Sequence, residues 1–220
     1  LRAGGLRVFC KTTGTDPMTI DVNGREELIC RRGKANIKEQ IAVLRRAAAQ
    51  NAQVLVVECM AITPEFQQTS QHDILRADIG VITNVRRDHM DVMGDTLPRI
   101  ADALCHTVPR RGILFTAETV MTEWLKAAAE KNGSSFVCAE VRGDEGTLDF
   151  PENVALALAV CEELGVPRET AFAGMQRFTR FRCTDWGRLR SSADFPLTIS
   201  SRSAWCGKSC ARSTAGRTKS

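Results

Sequence analysis

Short, continuously apolar runs recur along this chain with helical patterns between them, and that alternation restricts the fold more than any other feature. Strand-like runs fall at residues 6–10, 54–58, 79–83, 113–116 and 135–138. Several are apolar at successive positions, as in Val54-Leu-Val-Val57, rather than at every second one. Such a strand is covered on both faces, the situation of a parallel sheet with helices above and below. Asn36-Ile-Lys-Glu39 reads as a helix N-cap with an acidic residue three positions on. The helix that follows would put Ile37, Ile41, Leu44 and Ala48 on one face. A second helix, over 97–108, carries the stripe Leu97, Ile100, Ala101 and Leu104. A third covers 120–131 and stops at Asn132-Gly133. Pro151 opens a helix over 152–164 with Gly165 beyond its end, and Pro167 opens a short one reaching residue 177. The βαβαβα order predicts an α/β fold with a mainly parallel sheet, right-handed crossovers and flanking helices. Asn23-Gly24, between two β-like runs, predicts a hairpin within 16–29.

Composition sets the outer limits. The chain has 220 residues with 43% hydrophobic and 25% charged content, enough for one full core plus an appendage. A net charge of +4, 5% aromatic residues and no Tyr argue against a nucleic-acid binder, which needs a basic stripe with stacking rings. The nine cysteines lie mostly singly in apolar or helical segments, the pattern of free thiols in a reducing cytosol rather than of a disulfide framework. No run is long and apolar enough to span a membrane, and no signal peptide is visible. The chain opens on Leu1 close to its first strand-like run, as a fragment that has lost its natural start would. The expected division is a domain over 1–178 and a tail over 179–220. Residues 181–220 hold eight Ser, six Arg and three Cys with only two acidic residues, and no period of 2 or 3.6 persists there. That tail reads either as a disordered basic segment or, given Trp186 and Trp205, as a continuation in the wrong reading frame.

The residues that can carry chemistry gather after the strands. Ligands of open parallel α/β sheets bind beyond the carboxyl ends of the strands. Glu58 ends the apolar run Val54-Leu-Val-Val57, where a carboxylate is costly to bury unless paired, hydrogen-bonded or bound to a metal. The segment Ile82-Thr-Asn-Val-Arg-Arg-Asp-His-Met-Asp-Val-Met-Gly94 places Asn84, Asp88, His89 and Asp91 just past another strand. If the two strands are neighbours, Glu58 and His89 reach one crevice and leave metal positions open for nucleotide oxygens and water, as magnesium prefers. Asn84 would bind a phosphate or a water, and Arg86 and Arg87 would neutralise phosphate charge. The plainer alternatives are a solvent-reaching Glu58, a salt-bridged surface His89, a turn-forming Asn84 and solvated loop arginines. Lys11-Thr-Thr-Gly-Thr15 offers hydroxyls and a glycine turn after the first strand, but it is not a P-loop, and no such motif occurs in the chain. Arg31-Arg-Gly-Lys-Ala-Asn-Ile-Lys38 is the densest basic patch outside the tail and would attract a carboxylate-rich substrate. Cys206 and Cys210 have no second ligand pair at zinc spacing.

Five blocks together resemble poly-γ-glutamate synthase, the capsule-type amide ligase, which is similar to the Mur ligases and folylpolyglutamate synthases. They are Lys11-Thr-Thr-Gly-Thr-Asp16, Arg32-Gly-x-Ala-Asn-Ile-x-Glu-Gln40, Val56-Val-Glu-Cys-Met-Ala61, Gly80-Val-Ile-Thr-Asn-Val-Arg-x-Asp-His-x-Asp-Val-Met-Gly94 and Pro151-Glu-Asn-Val-Ala-Leu-Ala157. The resemblance covers residues 6–178. It implies a Mur-ligase-like central ATPase domain, incomplete here, in which ATP phosphorylates a γ-carboxylate and the acyl phosphate is attacked by the amine of another glutamate. It implies ATP and Mg2+ as cofactors, with Glu58 and His89 as the magnesium ligands. Asn84 would lie near the ATP phosphates, with Arg86 beside them, and Asp88 would support the loop of His89. Thr12, Thr13, Asn36 and Lys38 fall where substrate contacts are expected. Glutamate and poly-γ-glutamate would be the ligands, and complete members look membrane-associated, through an upstream segment and companion subunits, on the cytoplasmic side.

Three departures accompany the resemblance. The phosphate-binding loop that the family carries just upstream is missing. No lysine occurs between His89 and Lys126, and Leu104 takes the approximate place of the lysine that many Mur ligases use in carbamylated form. The continuation past residue 178 is not recognisable. The competing expectations are an incomplete amide ligase, a non-catalytic partner-binding remnant, and a folylpolyglutamate-type ligase with a different acceptor.

Overall fold

The computed structural model describes residues 1–14, 16–31, 33, 35–143, 148, 150–182 and 197–201. Most of the expected tail lies outside those residues, as do Thr15, Arg32 and Lys34.

Eight strands form one sheet in the order β3-β2-β1-β4-β8-β5-β6-β7. They are β1 (Val8–Lys11), β2 (Met18–Ile20), β3 (Glu26–Leu28), β4 (Val54–Glu58), β5 (Ile79–Ile82), β6 (Ile113–Thr116), β7 (Ser135–Cys138) and β8 (Leu197–Ser201). Strand β1 pairs parallel with β4, and β5, β6 and β7 pair parallel in turn. The expected hairpin is present as β2–β3, antiparallel to each other at one edge. Its turn is closed by Asp21, whose Oδ1 accepts the N–H groups of Asn23 and Arg25 at 2.9 Å each, with Gly24 at φ 87°. Strand β8 runs antiparallel to both β4 and β5 and separates them. The strands that carry Glu58 and the Asn84–His89 loop are therefore not neighbours, and the adjacency on which a shared crevice was conditional is absent.

The helices are α1 (Glu39–Ala49), α2 (Pro64–Gln68), α3 (Met90–Met93), α4 (Leu97–Cys105), α5 (Thr122–Lys131), α6 (Pro151–Glu163) and α7 (Arg168–Arg182). Side-chain parity along the strands divides the core. Phe9 of β1 and Leu55 and Val57 of β4 pack with Val43 and Ala47 of α1. Ile82 and Leu114 pack on Ile100, Leu104, Leu125 and Ala129 of α4 and α5. The other face of the same strands, with Val8, Val54, Val81 and Phe115, meets Leu156 and Val160 of α6. Each buried side chain of this kind contributes roughly 1.5–3 kcal/mol. The continuous apolar character of these strands is thus accounted for by helices on both faces. Trp124 adds a tie between α5 and α4, its Nε1 donating to Asp102 Oδ1 at 2.7 Å.

Strand β8 stands where a tail was expected, α7 runs to Arg182 rather than 177, and two further helical segments differ from expectation. The buried face of α1 is Gln40, Val43 and Ala47, while Ile41 is exposed. Burial of Val43 and Ala47 against Phe9 outweighs that of the isolated Ile41. The sequence reading also placed no helix between 58 and 79, yet α2 and a π-helical turn over Thr69–Leu75 fill that crossover. Its signal was polar: the buried amides of Gln67 and Gln71 donate to the carbonyls of Ala61, Ile62 and Ala77 and hold the segment to the sheet.

Candidate functional site

Because β1, β4, β5 and β6 are parallel, their carboxyl ends share one edge of the sheet, and the loops that follow them share it too. Glu58 closes β4. Its Oε2 accepts the backbone N–H of Thr13 at 2.6 Å, a charge-assisted bond that fixes the loop after β1 against the end of β4. Its Oε1 takes no hydrogen bond among the described residues. Thr12 serves the turn between β1 and β2. Its N–H donates to Met18 O at 2.8 Å, and its Oγ1 accepts the Met18 N–H at 3.1 Å.

On the far side of β8, Asn84 stands two residues past β5. Its Oδ1 is buried and has no hydrogen-bond partner among the described residues. A buried amide oxygen without a donor is uncommon and calls for a partner, such as a water or a cation. Arg86, Arg87 and Asp88 are exposed. Asp88 Oδ1 accepts the His89 N–H at 2.8 Å, and its Oδ2 lies 3.7 Å from His89 Nε2. His89 is held at φ 45°, ψ 41° at the start of α3. Left-handed backbone is uncommon for a residue with a side chain and tends to persist where the surroundings enforce it.

The loop after β5 is fixed by a residue that the sequence reading missed. Glu118, two residues past β6, is 5% exposed. Its Oε2 accepts the Val85 N–H at 2.6 Å, and its Oε1 accepts the N–H groups of Val120 at 2.6 Å and Met121 at 3.0 Å. The carboxylate thereby ties the strand-end loop of Asn84 to the start of α5. The rule that singled out Glu58, an acid just after an apolar run, applies equally to Thr116-Ala-Glu118.

Asn36 and Lys38 lie apart from these loops in the sequence and act locally at the start of α1. Asn36 Oδ1 accepts the Lys38 N–H at 2.9 Å, and Glu39 Oε1 accepts the Asn36 N–H at 3.4 Å. Arg31 donates to both carboxylate oxygens of Glu39, at 2.7 and 3.0 Å. Burial pushes the Glu39 carboxyl up, but the Arg31 bonds and charge outweigh it and hold the group below the usual carboxylate range.

With β8 between them, the axes of β4 and β5 stand roughly 10 Å apart, two strand spacings. Glu58 Oε1 and Asn84 Oδ1 are then two hard oxygen acceptors, near the ends of those strands, without hydrogen-bond partners among the described residues. Among the described residues no group of three or more His, Cys, Asp or Glu is placed to hold a metal. Magnesium takes few protein ligands and keeps water and phosphate oxygens for the rest of its shell, and the carboxylate of Glu58 and the amide oxygen of Asn84 are each hard oxygen donors of the kind it takes. Leu104, in the approximate place of the lysine that the resemblance leads one to expect, is on the buried face of α4.

A mainly parallel sheet whose loops offer a braced carboxylate, an unmatched amide and exposed arginines at one edge defines an α/β domain suited to anionic ligands. The profile of the Mur ligase middle domain matches residues 7–139, and the chain belongs to the Mur ligase family. It is 41% identical over 189 residues to the capsule biosynthesis protein CapB of Bacillus anthracis, covering 78% of this chain and 41% of that protein. It is 40% identical over 181 residues to the PGA synthase CapB of Bacillus subtilis (strain 168), covering 78% of this chain and 46% of that one. The chain thus spans a little under half the length of the curated relatives it matches. An FPGS–AMPPCP complex shares 17% identity at a TM-score of 0.36, over 64% of this chain and 43% of that one.

Proposed function

We propose that this chain is the central part of an ATP-dependent amide ligase that joins glutamate units through the γ-carboxylate. The observation that carries the reading is the similarity to two CapB proteins at about two residues in five over most of the chain. In the proposed reaction a γ-carboxylate oxygen attacks the terminal phosphorus of ATP and ADP leaves. The amine of a second glutamate then attacks the acyl carbon. Phosphate departs with the bonding pair, and the nitrogen loses a proton as the amide forms.

The residues divide this work. Glu58 and His89 would hold magnesium, whose charge offsets that of the phosphoryl oxygens. Asp88 keeps the His89 loop in place, and Glu118 does the same for Asn84 through the Val85 N–H. Asn84 and Arg86 face the charge of the phosphates, the amide by hydrogen bonding and the guanidinium by its field. Thr13, Asn36 and Lys38 stand at the loops where the glutamate chain would enter, and Thr12 shapes the first of them. The basic segment 31–38 favours encounter with a polyanion, and the rate of that encounter falls with salt. Membrane-bound companion subunits and a cytoplasmic site at the membrane belong to the same reading.

The acceptor is tested in a chimaera in which residues 7–178 replace the matching segment of the Bacillus subtilis relative. The expected result is ADP release with ATP, magnesium and glutamate that lengthens γ-linked chains. ADP release that requires a folate acceptor instead would contradict the reading.

A further inference from the structure

Lys11 closes β1 and is only 1% exposed. A buried ammonium without an anion is costly, and proteins normally pair it or do without it. Lys11 has neither remedy among the described residues. Its Nζ donates to Met60 Sδ at 3.3 Å, and no carboxylate stands at ion-pair distance. A thioether is a weak acceptor. Glu39, the acid acting most strongly on Lys11, is already occupied on both oxygens by Arg31. Burial accordingly pulls the Lys11 pKa below its ordinary value, with the field of Glu39 opposing.

A second unmatched group lies on the same side of the sheet. Phe9 and Lys11 alternate onto the face of β1 covered by α1, where Phe9 meets Val43 and Ala47. One turn earlier on that helix face is Gln40, which is fully buried, with both Oε1 and Nε2 lacking hydrogen-bond partners among the described residues. As the crossover between parallel β1 and β4, α1 runs back along the strands, so its first turn covers their carboxyl ends. That is the end Lys11 occupies. Lys11 is in register with Val57, so it and Glu58 leave the sheet on opposite faces.

We propose that Lys11 and Gln40 form a carboxylate-binding subsite, on the opposite face of the sheet from Glu58, that takes a carboxylate of the glutamate substrate. The ammonium and the amide NH2 supply two donors for the two oxygens of one carboxylate. Met60 is the cover, an unbranched side chain able to move aside when the anion enters. The identity of the ligand as glutamate rests on the ligase reading; the subsite itself rests on the two unmatched buried groups.

The test is calorimetric titration of the chain with glutamate, glutarate and inorganic phosphate, in wild type and in Lys11→Met, Lys11→Arg and Gln40→Glu. Wild type should bind both carboxylates. Lys11→Met should weaken them about tenfold or more, the loss of one charge-assisted hydrogen bond. Lys11→Arg should retain most of the binding. Gln40→Glu should abolish it without lowering the melting temperature, because an internal carboxylate then satisfies Lys11; this variant decides the matter if Lys11→Met fails to fold. Lys11-dependent binding of glutarate without glutamate would keep the subsite and remove the glutamate reading. Carboxylate binding unchanged in Lys11→Met and Gln40→Glu, binding of phosphate alone, or no binding in wild type would overturn the subsite.

Discussion

Glu58 and Glu118 both follow buried parallel strands, and the structure gives them different work. Glu58 spends one oxygen on the Thr13 N–H and keeps the other, whereas Glu118 has both oxygens engaged by three backbone N–H groups. Glu118→Ala would leave buried donors unmatched and should cost roughly 2–4 kcal/mol. Urea denaturation checks the value, and a change under about 0.5 kcal/mol, typical of an inconsequential surface site, would contradict the bracing role. The sequence made Glu58 legible because an acid after four apolar residues stands out. Glu118 obeyed the same rule. Lys11 was not legible at all, because a lysine at a strand end reads as solvated until the packing of α1 and Met60 over it is seen.

Among the elements, β4, β5, β6 and β7 were read to within a residue and β1 to within two, because most of them leave a contiguous apolar signal, whereas β8, inside the expected tail, was not read as a strand. Helix α1 shows where periodicity misleads. Its larger apolar residues mark one face, but the sheet buries Gln40, Val43 and Ala47 instead. Val43→Ala should therefore destabilise by about 1–3 kcal/mol, while Ile41→Ser should stay within about 0.5 kcal/mol. Thermal melts of the two variants distinguish the faces, and the reverse order would mean that α1 is rotated. The approach to β6 sets a second element-scale constraint. A Cβ on Gly112 would stand 2.1 Å from the carbonyl oxygen of Asp78, the acceptor of the Ile113 N–H at 2.9 Å. Gly112→Ala should cost about 1–3 kcal/mol through forced separation of β5 and β6, whereas at an open glycine such as Gly33 the same change meets nothing. Equal melting temperatures for the two variants would contradict that packing.

For the whole molecule, the six cysteines in the described residues are all free, and burial raises four of them, Cys59 and Cys105 the furthest, which shapes the response to alkali. Burial pushes the Cys59 thiol up to about 11 and the Cys105 thiol up to about 12, against an ordinary value of 9.0. Between pH 9 and those values the unfolded chain has lost the thiol protons and the folded chain retains them. Fewer protons on the unfolded state means that stability falls as pH rises, by at most about 1.4 kcal/mol per pH unit per thiol. Lys11 acts oppositely: its lowered pKa leaves the unfolded state with more protons below 10.5, so stability rises with pH through that window. A Cys59→Ala/Cys105→Ala chain should lose less stability between pH 8 and 10 than wild type in matched denaturation series. Parallel curves would contradict the assignment.

The order of the sheet is the feature that sequence could not supply. Apolar runs identify strands without saying which are neighbours, and only pairing shows β8 between β4 and β5, with the Glu58 and Asn84 loops facing across it. We propose that this edge performs acyl phosphate chemistry. Its most direct measurement is hydroxylamine trapping of the activated γ-carboxylate, with ATP and magnesium, in the chimaera and its Glu58→Ala variant. Magnesium-dependent γ-glutamyl hydroxamate is expected from the first and almost none from the second, at similar melting temperatures. Hydroxamate formed at an undiminished rate by Glu58→Ala would contradict it.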